Sequence, residues 1–255
     1  DTFSFEKVYD SYQALLQDPE VDAVYIPLPN TLHKEWSIKA ARAGKHILCE
    51  KPLALSLQDV DEMTQAAREN QVLLMEAFMY RFTARTRKVK GLLDEGAVGE
   101  IRHINSTFRF HLEDLSDIRL NQALGGGSLW DVGCYPVNFL GLVMGEAPEA
   151  VCALKAERQQ VDDSLSAVLR YKSGVIATIS SGLNSASCML SEINGTQGTL
   201  IIRDTFDDTT TPILLVKGGK TQEIPVVPSK RYVREAEGFA DAILNNRPAA
   251  VSLEE

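Results

Sequence analysis

The stretch His46-Ile-Leu-Cys-Glu-Lys-Pro52 decides the fold class of this chain. A near-continuous apolar run is followed by a charged pair and a proline, which predicts a buried parallel strand that ends in a turn. Open α/β sheets bind their ligands in the crevice at the carboxyl ends of such strands, so we expect Lys51 to point into a binding crevice. Pro52 disfavours the helical region for Lys51 and so places the turn at a defined position.

Composition argues against several classes of function. The 255 residues carry a net charge of −9 and no long basic cluster, so the basic footprint of a nucleic-acid-binding protein is missing. No apolar run is long enough to span a membrane, and the histidines show no metal-ligand spacing. The four cysteines lack Cys-x-x-Cys spacing, which predicts free thiols in the cytoplasm: Cys49, Cys134, Cys152 and Cys188.

The first third of the chain alternates predicted strands and helices. Thr31 and Ser56 are the expected N-caps of two of the helices. Helical connections of this length between strands imply parallel pairing with right-handed crossovers. We therefore predict part of a Rossmann sheet over residues 1–77, with helices at 9–17, 31–43 and 56–67 and strands at 22–27, 46–50 and 71–76.

The pattern changes after residue 77. Between residues 151 and 227 only strands are predicted, and most of them alternate apolar with polar residues, as in a sheet with one open face. Ser229 is the expected cap of a final helix. Residues 78–255 are thus predicted to form an α+β domain with a large, mostly antiparallel sheet, helices at 85–94 and 135–144, a strand at 100–110, and a last helix that directs Val233, Ala236, Ala240 and Ile243 inward.

The glycine pattern of a dinucleotide-binding turn is missing. No G-x-G-x-x-G occurs in the sequence, and the cluster Gly125-Gly-Gly127 follows no predicted strand. Either this fold binds no dinucleotide, or the βαβ unit that holds the phosphates is missing from the sequence. In the second case, this chain alone is expected to bind dinucleotide weakly or not at all.

Four segments carry a resemblance to a known family: IPLPNTLH at 26–33, AGKHILCEKPL at 43–53, MEAFMYRF at 75–82 and GGGSLWDVGCYP at 125–136. Their order and spacing resemble the glucose–fructose oxidoreductase/inositol dehydrogenase (Gfo/Idh/MocA) family. The resemblance implies a Rossmann domain for NAD or NADP and a second domain whose open sheet is buried in a homodimer or homotetramer. It also implies that the chain starts about 30 residues late, and that the family continues into another helix beyond residue 255.

The resemblance also implies roles for individual residues. Lys51 and Tyr135 are the expected catalytic pair, with Lys51 as the cation that lowers the pKa of the Tyr135 phenol. Three further residues are expected to bind substrate: Asp131, Trp130 and Arg119. The residues expected at the cofactor are Leu28, Asn30, His33, Glu50, Lys51, Pro52 and Arg81.

Each of the main residues also has a structural explanation. The structural alternative for Lys51 is a solvated lysine after a strand, and for Tyr135 it is an aromatic residue packed between domains. Asp131 completes a capping box with Ser128, but Pro136 would then fall inside the helix. We therefore expect the helix to begin near Tyr135, which leaves Asp131 free to bind substrate or orient Tyr135.

The family pattern is not met at two positions. Members usually carry histidine where this chain has Tyr135 and aspartate where it has Asn138. Tyrosine resembles the dihydrodiol dehydrogenase, xylose dehydrogenase and glucose–fructose oxidoreductase branch, which favours a sugar or trans-diol substrate. The sequence thus predicts an NAD(P)-dependent oxidoreductase acting on a CH–OH group. The alternative is a catalytically silent, nucleotide-binding sensor on the same fold.

Overall fold

The computed structural model describes residues 5–253. Its first part contains a sheet of three parallel strands in the order β1-β2-β3, as the alternating pattern predicts. Leu48 pairs with Tyr25 on one side and Met75 on the other. The elements of this part are α1 (Tyr12–Gln17), β1 (Ala23–Ile26), α2 (His33–Arg42), β2 (His46–Glu50), α3 (Leu57–Glu69) and β3 (Leu74–Ala77).

One of the two expected caps starts its helix. The Ser56 hydroxyl accepts a hydrogen bond of 3.2 Å from the Asp59 N–H and starts α3, which confirms the expected cap. The prediction for Thr31 was wrong. A short 3-10 turn at Asn30–Leu32 leads into α2, and Leu32 at the start of α2 gives no side-chain cap. The loop after β1 therefore stays tight and close to the carboxyl end of its strand.

The second part is built on an eight-stranded sheet in the order β11-β10-β9-β8-β4-β7-β6-β5. Only β4 and β7 pair in parallel, so the sheet is mostly antiparallel, as predicted. Its strands are β4 (Ile101–His111), β5 (Ala150–Arg158), β6 (Val161–Arg170), β7 (Ile176–Gly182), β8 (Asn184–Gly195), β9 (Thr199–Arg203), β10 (Ile213–Lys217) and β11 (Lys220–Ile224). Three helices accompany it: α4 (Ala84–Asp94), α5 (Cys134–Met144) and α6 (Arg231–Leu244).

The described residues form two large hydrophobic cores and a small third one around Leu183, and the first of these cores joins the two parts. Alternate residues of the large sheet, such as Ile104 and Ala177, pack with α5 and with an aromatic cluster around Phe206. The second core lies on one face of the parallel sheet, beneath α2 and α3. Leu48 of β2 and Met75 of β3 belong to the core of the large sheet, so the first part packs against the second directly.

The prediction for the last helix was wrong in two respects. Ser229 does not cap α6; its hydroxyl accepts a hydrogen bond from the Ala84 N–H, and the Arg231 N–H at the start of α6 donates to Asp208 Oδ2 instead. The predicted inward face is also wrong, because Val233, Ala236 and Ala240 are exposed. The helix buries three other residues instead: Glu235, Phe239 and Ala242. A carboxyl group therefore lies inside the protein where only apolar residues were expected.

Candidate active site

A cavity of about 430 Å³ lies at the carboxyl ends of β1 and β2. One wall comes from the loop after β1 and the turn after β2. The other comes from the second part of the chain, chiefly the glycine-rich segment 125–127 and the start of α5. The cavity is lined by Tyr25, Pro27, Leu28, Asn30, Glu50, Lys51, Met79, Ile118, Arg119, Leu124, Gly125, Gly126, Gly127, Asp131, Tyr135 and Tyr232.

Lys51 extends from the end of β2 into this cavity. Its side chain is 15% exposed, and its Nζ donates hydrogen bonds to the Asp131 main-chain oxygen at 2.7 Å and to Asp131 Oδ1 at 3.2 Å. Burial alone would lower the pKa of Lys51, but the carboxylates of Asp131 and Glu50 raise it above its ordinary value. Because burial raises the pKa of the Cys134 thiol and keeps it neutral, the two carboxylates supply the charge. Lys51 is therefore an ammonium at neutral pH.

Asp131 lies in a π-helical turn, Leu129–Gly133, that leads directly into α5. The expected start of the helix near Tyr135 is confirmed for its α-helical part, but Asp131 is not in a free loop. Its two carboxylate oxygens divide their contacts: Oδ1 accepts from Lys51, and Oδ2 accepts from Arg119 Nε at 2.8 Å. The capping alternative is excluded because the Ser128 hydroxyl donates to Asp162 instead. Asp131 thus joins two cations across the cavity.

Replacing Asp131 with asparagine is expected to lower kcat/KM by roughly 100-fold, because the ammonium of Lys51 loses the carboxylate that positions it. The same change leaves a buried cation without its counter-charge, so the melting temperature should also fall. Asp117→Asn is the matched control, because Asp117 pairs with Arg119 but has no contact with Lys51. Steady-state kinetics and thermal unfolding of both variants check the prediction, and equal rate losses in the two would contradict it.

The glycine-rich segment is shaped by close contacts. Gly127 has φ of 125°, and a Cβ there would lie 2.2 Å from Asp162 Oδ1. Asp162 in turn accepts hydrogen bonds from the Ser128 hydroxyl and the Leu129 N–H, both at 2.7 Å. Only glycine satisfies both the backbone conformation and the space at position 127. This packing fixes the start of the π-helical turn and with it the position of Asp131.

Tyr135 forms the floor of the cavity. The residue is 4% exposed, and its ring packs edge-on against Phe78 and Phe108. Lys51 Nζ lies 5.1 Å from the centre of this ring, so the ammonium and the phenol belong to one site. The Tyr135 hydroxyl donates to Met79 Sδ at 3.4 Å. Sulfur is a weak acceptor, so this proton is held loosely.

The expectation that Lys51 lowers the pKa of Tyr135 was wrong. Burial is the main reason that this pKa is raised well above its ordinary value, and the negative charges of Glu50 and Asp131 raise it further. Lys51 does not offset these effects because it lies over the ring and is already paired with Asp131. The phenol is therefore protonated throughout the physiological pH range.

Most of the residues expected at the site converge on this cavity. Asn30 also donates from Nδ2 to the Gly125 main-chain oxygen at 2.9 Å, which joins the loop after β1 to the glycine-rich segment. Glu50 accepts hydrogen bonds from the Tyr25 hydroxyl and, at 3.3 Å, from the Lys51 N–H. The residues that the structure brings together are Leu28, Asn30, Glu50, Lys51, Arg119, Asp131 and Tyr135.

Four of the expected residues do not line the cavity. His33 is fully buried, and its Nδ1 and Nε2 lie 2.8 Å from the main-chain oxygens of Pro52 and Leu28. His33 therefore holds the loops after β1 and β2 together. Pro52 and Trp130 line a separate groove that also includes Cys134 and Leu253. Neighbouring residues of a helical turn point in different directions, so Trp130 points away from the cavity while Asp131 points into it.

Arg81 also lies outside the cavity. Its guanidinium donates to Asn138 Oδ1 and to the Ala250 main-chain oxygen, both at 3.2 Å. The Tyr80 hydroxyl donates to the same Asn138 oxygen at 2.6 Å. Arg81 therefore ties α5 to the segment that follows α6. The position that the family usually fills with aspartate, Asn138, serves this contact rather than the cavity.

Sequence reasoning missed several residues of the cavity wall, among them Tyr25, Met79 and Tyr232. Tyr25 lies in β1 on the side opposite Ile26, so strand alternation alone gave a signal for it. Met79 lies within the MEAFMYRF segment but carries no chemistry that a motif search would select. Tyr232 comes from α6, more than 150 residues further along the chain, and no local pattern relates it to the cavity.

No helix within residues 5–253 is long and apolar enough to cross a membrane. The same residues contain no group of three or more metal-ligating side chains close enough to hold an ion. Among the described residues, the side chains that line the cavity offer one ammonium, one guanidinium, three phenols and two carboxylates.

This combination defines a class of protein: a Rossmann-type sheet whose second strand ends in a lysine, closed by an α+β domain that brings a tyrosine to it. Residues 1–78 match the oxidoreductase family with an NAD-binding Rossmann fold, and residues 86–201 match the Gfo/Idh/MocA C-terminal domain. The chain belongs to the Gfo/Idh/MocA oxidoreductase family.

Relatives and solved structures agree with this assignment. The chain is 36% identical over 261 residues to a D-xylose 1-dehydrogenase (NADP(+)) of Haloferax volcanii, covering all of this chain and 80% of that protein. It is 33% identical to a trans-1,2-dihydrobenzene-1,2-diol dehydrogenase of Xenopus tropicalis, covering 86% and 66% of the two chains. A 3-ketoreductase of Actinomadura kijaniata, solved with NADP and TDP-benzene, superposes with a TM-score of 0.89 at 33% identity, covering 94% and 75%.

Proposed function

We propose that this protein is an NAD(P)-dependent oxidoreductase that transfers a hydride between a nicotinamide ring and the CH–OH carbon of a sugar or diol. The observation that carries the proposal is the arrangement of two groups in one cavity. The ammonium of Lys51 lies over the ring of Tyr135, at the carboxyl end of a parallel strand. Such pairs bind and protonate a reacting oxygen, which is what a carbonyl–alcohol interconversion requires.

The groups around the cavity suit the nicotinamide half of the cofactor. Leu28 and Met79 offer apolar surface for a flat ring, and the Glu50 carboxylate can accept hydrogen bonds from ribose hydroxyls. These groups lie at the crevice where open α/β sheets bind nucleotides. When bound, the nicotinamide supplies or accepts the hydride, and the protein orients the substrate carbon and manages the proton.

Lys51 and Tyr135 have different roles at the substrate oxygen. Lys51, which remains an ammonium, donates a hydrogen bond to this oxygen and favours negative charge there. Tyr135, whose raised pKa keeps it protonated, gives its proton to the same oxygen as a carbonyl is reduced. The weak contact with Met79 leaves that proton available. Asp131 and Arg119 supply the further hydrogen-bonding groups that polyhydroxylated substrates need.

Variants of the Actinomadura ketoreductase support this pairing. Its solved structures include proteins in which one lysine or one tyrosine has been replaced. The two replaced positions are separated along that chain by the same distance as Lys51 and Tyr135 in this one. A silent sensor would have no use for the pair, and the named relatives are dehydrogenases and reductases.

A panel of substrates tests the proposed function. Full-length protein is mixed with NAD⁺ or NADP⁺ and with aldoses, inositols or trans-dihydrodiols, and nucleotide absorbance is followed. We expect turnover with an aldose or a trans-diol, and little with inositols. A protein that binds nucleotide but reduces none of it with any substrate would instead support the silent sensor. The same panel assigns NAD or NADP, which the structure leaves open.

We also propose that the open face of the large sheet is covered by a second copy of the chain, as a homodimer or within a homotetramer. Leu154 on the edge strand β5 and Val168 on its neighbour β6 expose 81% and 48% of their surfaces, and exposed apolar patches of this kind are typical of interaction sites. Light scattering should give twice or four times the subunit mass, and a monomer at micromolar concentration would contradict it.

The four free cysteines favour the cytoplasm, which cell fractionation checks.

A further inference from the structure

Helix α6 carries a buried carboxyl group that the proposed reaction does not use. Glu235 is only 3% exposed, and its Oε1 atom has no hydrogen-bond partner within residues 5–253. A buried carboxyl group with an unpartnered oxygen is costly in its charged form. The protonation of Glu235 therefore matters for the structure around it.

Glu235 lies directly behind the wall of the active-site cavity. Tyr232, three residues earlier on the same face of α6, lines the cavity itself. The helix packs closely on the turn Met79–Phe82, because a Cβ on Gly238 would lie 2.5 Å from Phe82. Glu235 is therefore held at the boundary between the two parts of the protein.

Glu50 faces this boundary from the end of β2. Its carboxylate is already held by the Tyr25 hydroxyl and the Lys51 N–H, and it lines the same cavity. Burial and the nearby charge of Glu50 raise the pKa of Glu235 to about 8. The other ionisable groups here are Tyr25 on β1, whose own pKa is raised mainly by burial, and Tyr232 on α6; Arg81 of the adjoining turn donates to Asn138 and Ala250.

We propose that Glu235 is a positioning residue: its proton prevents a second negative charge from facing Glu50 across the boundary and so keeps the Tyr25–Glu50–Tyr232 wall of the cavity in place. When that proton is lost, two carboxylates repel each other across the boundary, and the wall moves away from the bound ligand. The effect on catalysis rests on the proposed function. The effect on the folded structure does not, so the two are tested separately.

The first test is the pH profile of the full-length enzyme. Lys51 and Tyr135 have raised pKa values, so neither changes charge between pH 7 and pH 9. If Glu235 must be protonated, kcat/KM should fall about tenfold across this interval, mainly through KM. In Glu235→Gln, which resembles the protonated acid, the profile should be flat. Glu237→Gln, an exposed position on the same helix, is the control and should keep the native slope.

The second test needs no activity. A carboxyl group whose pKa is higher in the folded than in the unfolded state binds its proton more tightly when folded. Its contribution to stability is therefore complete below about pH 4.5 and is lost as the pH rises through about 8. Denaturant titrations between pH 5 and pH 9 should show this loss in the native protein and in Glu237→Gln. The loss should be much smaller in Glu235→Gln.

Glu50→Gln completes the design, because it removes the facing charge and leaves Glu235 unchanged. The pH midpoint of the stability loss should then move down. The proposal is supported if this midpoint moves and the Glu235→Gln profile is flat. A native slope in Glu235→Gln, or an unmoved midpoint in Glu50→Gln, overturns it. An enzyme without turnover in any assay would refute the proposed function and leave these stability results to decide the role of Glu235.

Discussion

Replacing Lys51 with methionine is expected to lower kcat by roughly 10²–10⁴-fold, the usual contribution of a positioned acid–base group. The change keeps the length of the side chain but removes the ammonium that donates to the substrate oxygen. It also leaves Asp131 paired only with Arg119. Because Arg119 still balances Asp131, the fold should survive, and a nucleotide titration should give a dissociation constant close to the native one.

Lys45→Met is the matched control for this experiment. Lys45 is another buried lysine of the same part of the chain, and its Nζ donates to the Asp18 main-chain oxygen at 2.7 Å, outside the cavity. This variant is expected to lose stability but to keep its turnover. If Lys51→Met turns over at the native rate, Lys51 has no part in the reaction. If both variants lose rate equally, the effect is one of folding.

The strand that ends in Lys51 was predictable because its signal is local. An apolar run, a charged end and a proline lie within seven residues, and β2 forms with the predicted bounds, His46–Glu50. The long strands of the second sheet were predictable for the same reason, since a period of two repeats over ten residues or more in β4 and β6. Where pattern and burial coincide locally, sequence reasoning succeeds.

The predictions were wrong where a contact with a residue far away in the sequence overrides the local pattern. Ser229 has the right type and position to cap α6, but the fold uses its hydroxyl to accept from the Ala84 N–H on another helix. Asp131 was expected to lie in a loop, but the packing of Gly127 against Asp162 extends the helix backward by a π-helical turn. No pattern within either segment contains this information.

Glu235 shows a different limit. Helical periodicity assigns the buried face of α6 from apolar residues and therefore chose Val233 and Ala236, both of which are exposed. A glutamate counts as a surface residue in such a pattern. Its burial follows from the packing of α6 on the turn Met79–Phe82, a contact between segments that lie far apart in the sequence. Functional groups of this kind are the ones that sequence reasoning is least able to find.

Replacing Tyr135 with phenylalanine is expected to lower kcat for carbonyl reduction by roughly 10²–10⁴-fold, while KM changes only a few-fold. The ring remains in its aromatic cluster against Phe78 and Phe108, so the shape of the cavity is kept. Only the hydroxyl is lost, and its partner is the weak acceptor Met79 Sδ. Stability should therefore change little, in contrast to the rate.

Tyr80→Phe is the control that distinguishes the loss of a proton donor from a change in the aromatic cluster. Tyr80 lies in the same cluster, 6.0 Å from Tyr135 between ring centres, but its hydroxyl donates to Asn138 rather than towards the cavity. Its loss should lower stability and spare kcat. Because the pKa of Tyr135 is raised well above its ordinary value, native kcat should also show no basic limb from this residue below pH 10. Near-native turnover in Tyr135→Phe would mean that water or substrate supplies the proton, and Lys51 would then act alone on the reacting oxygen.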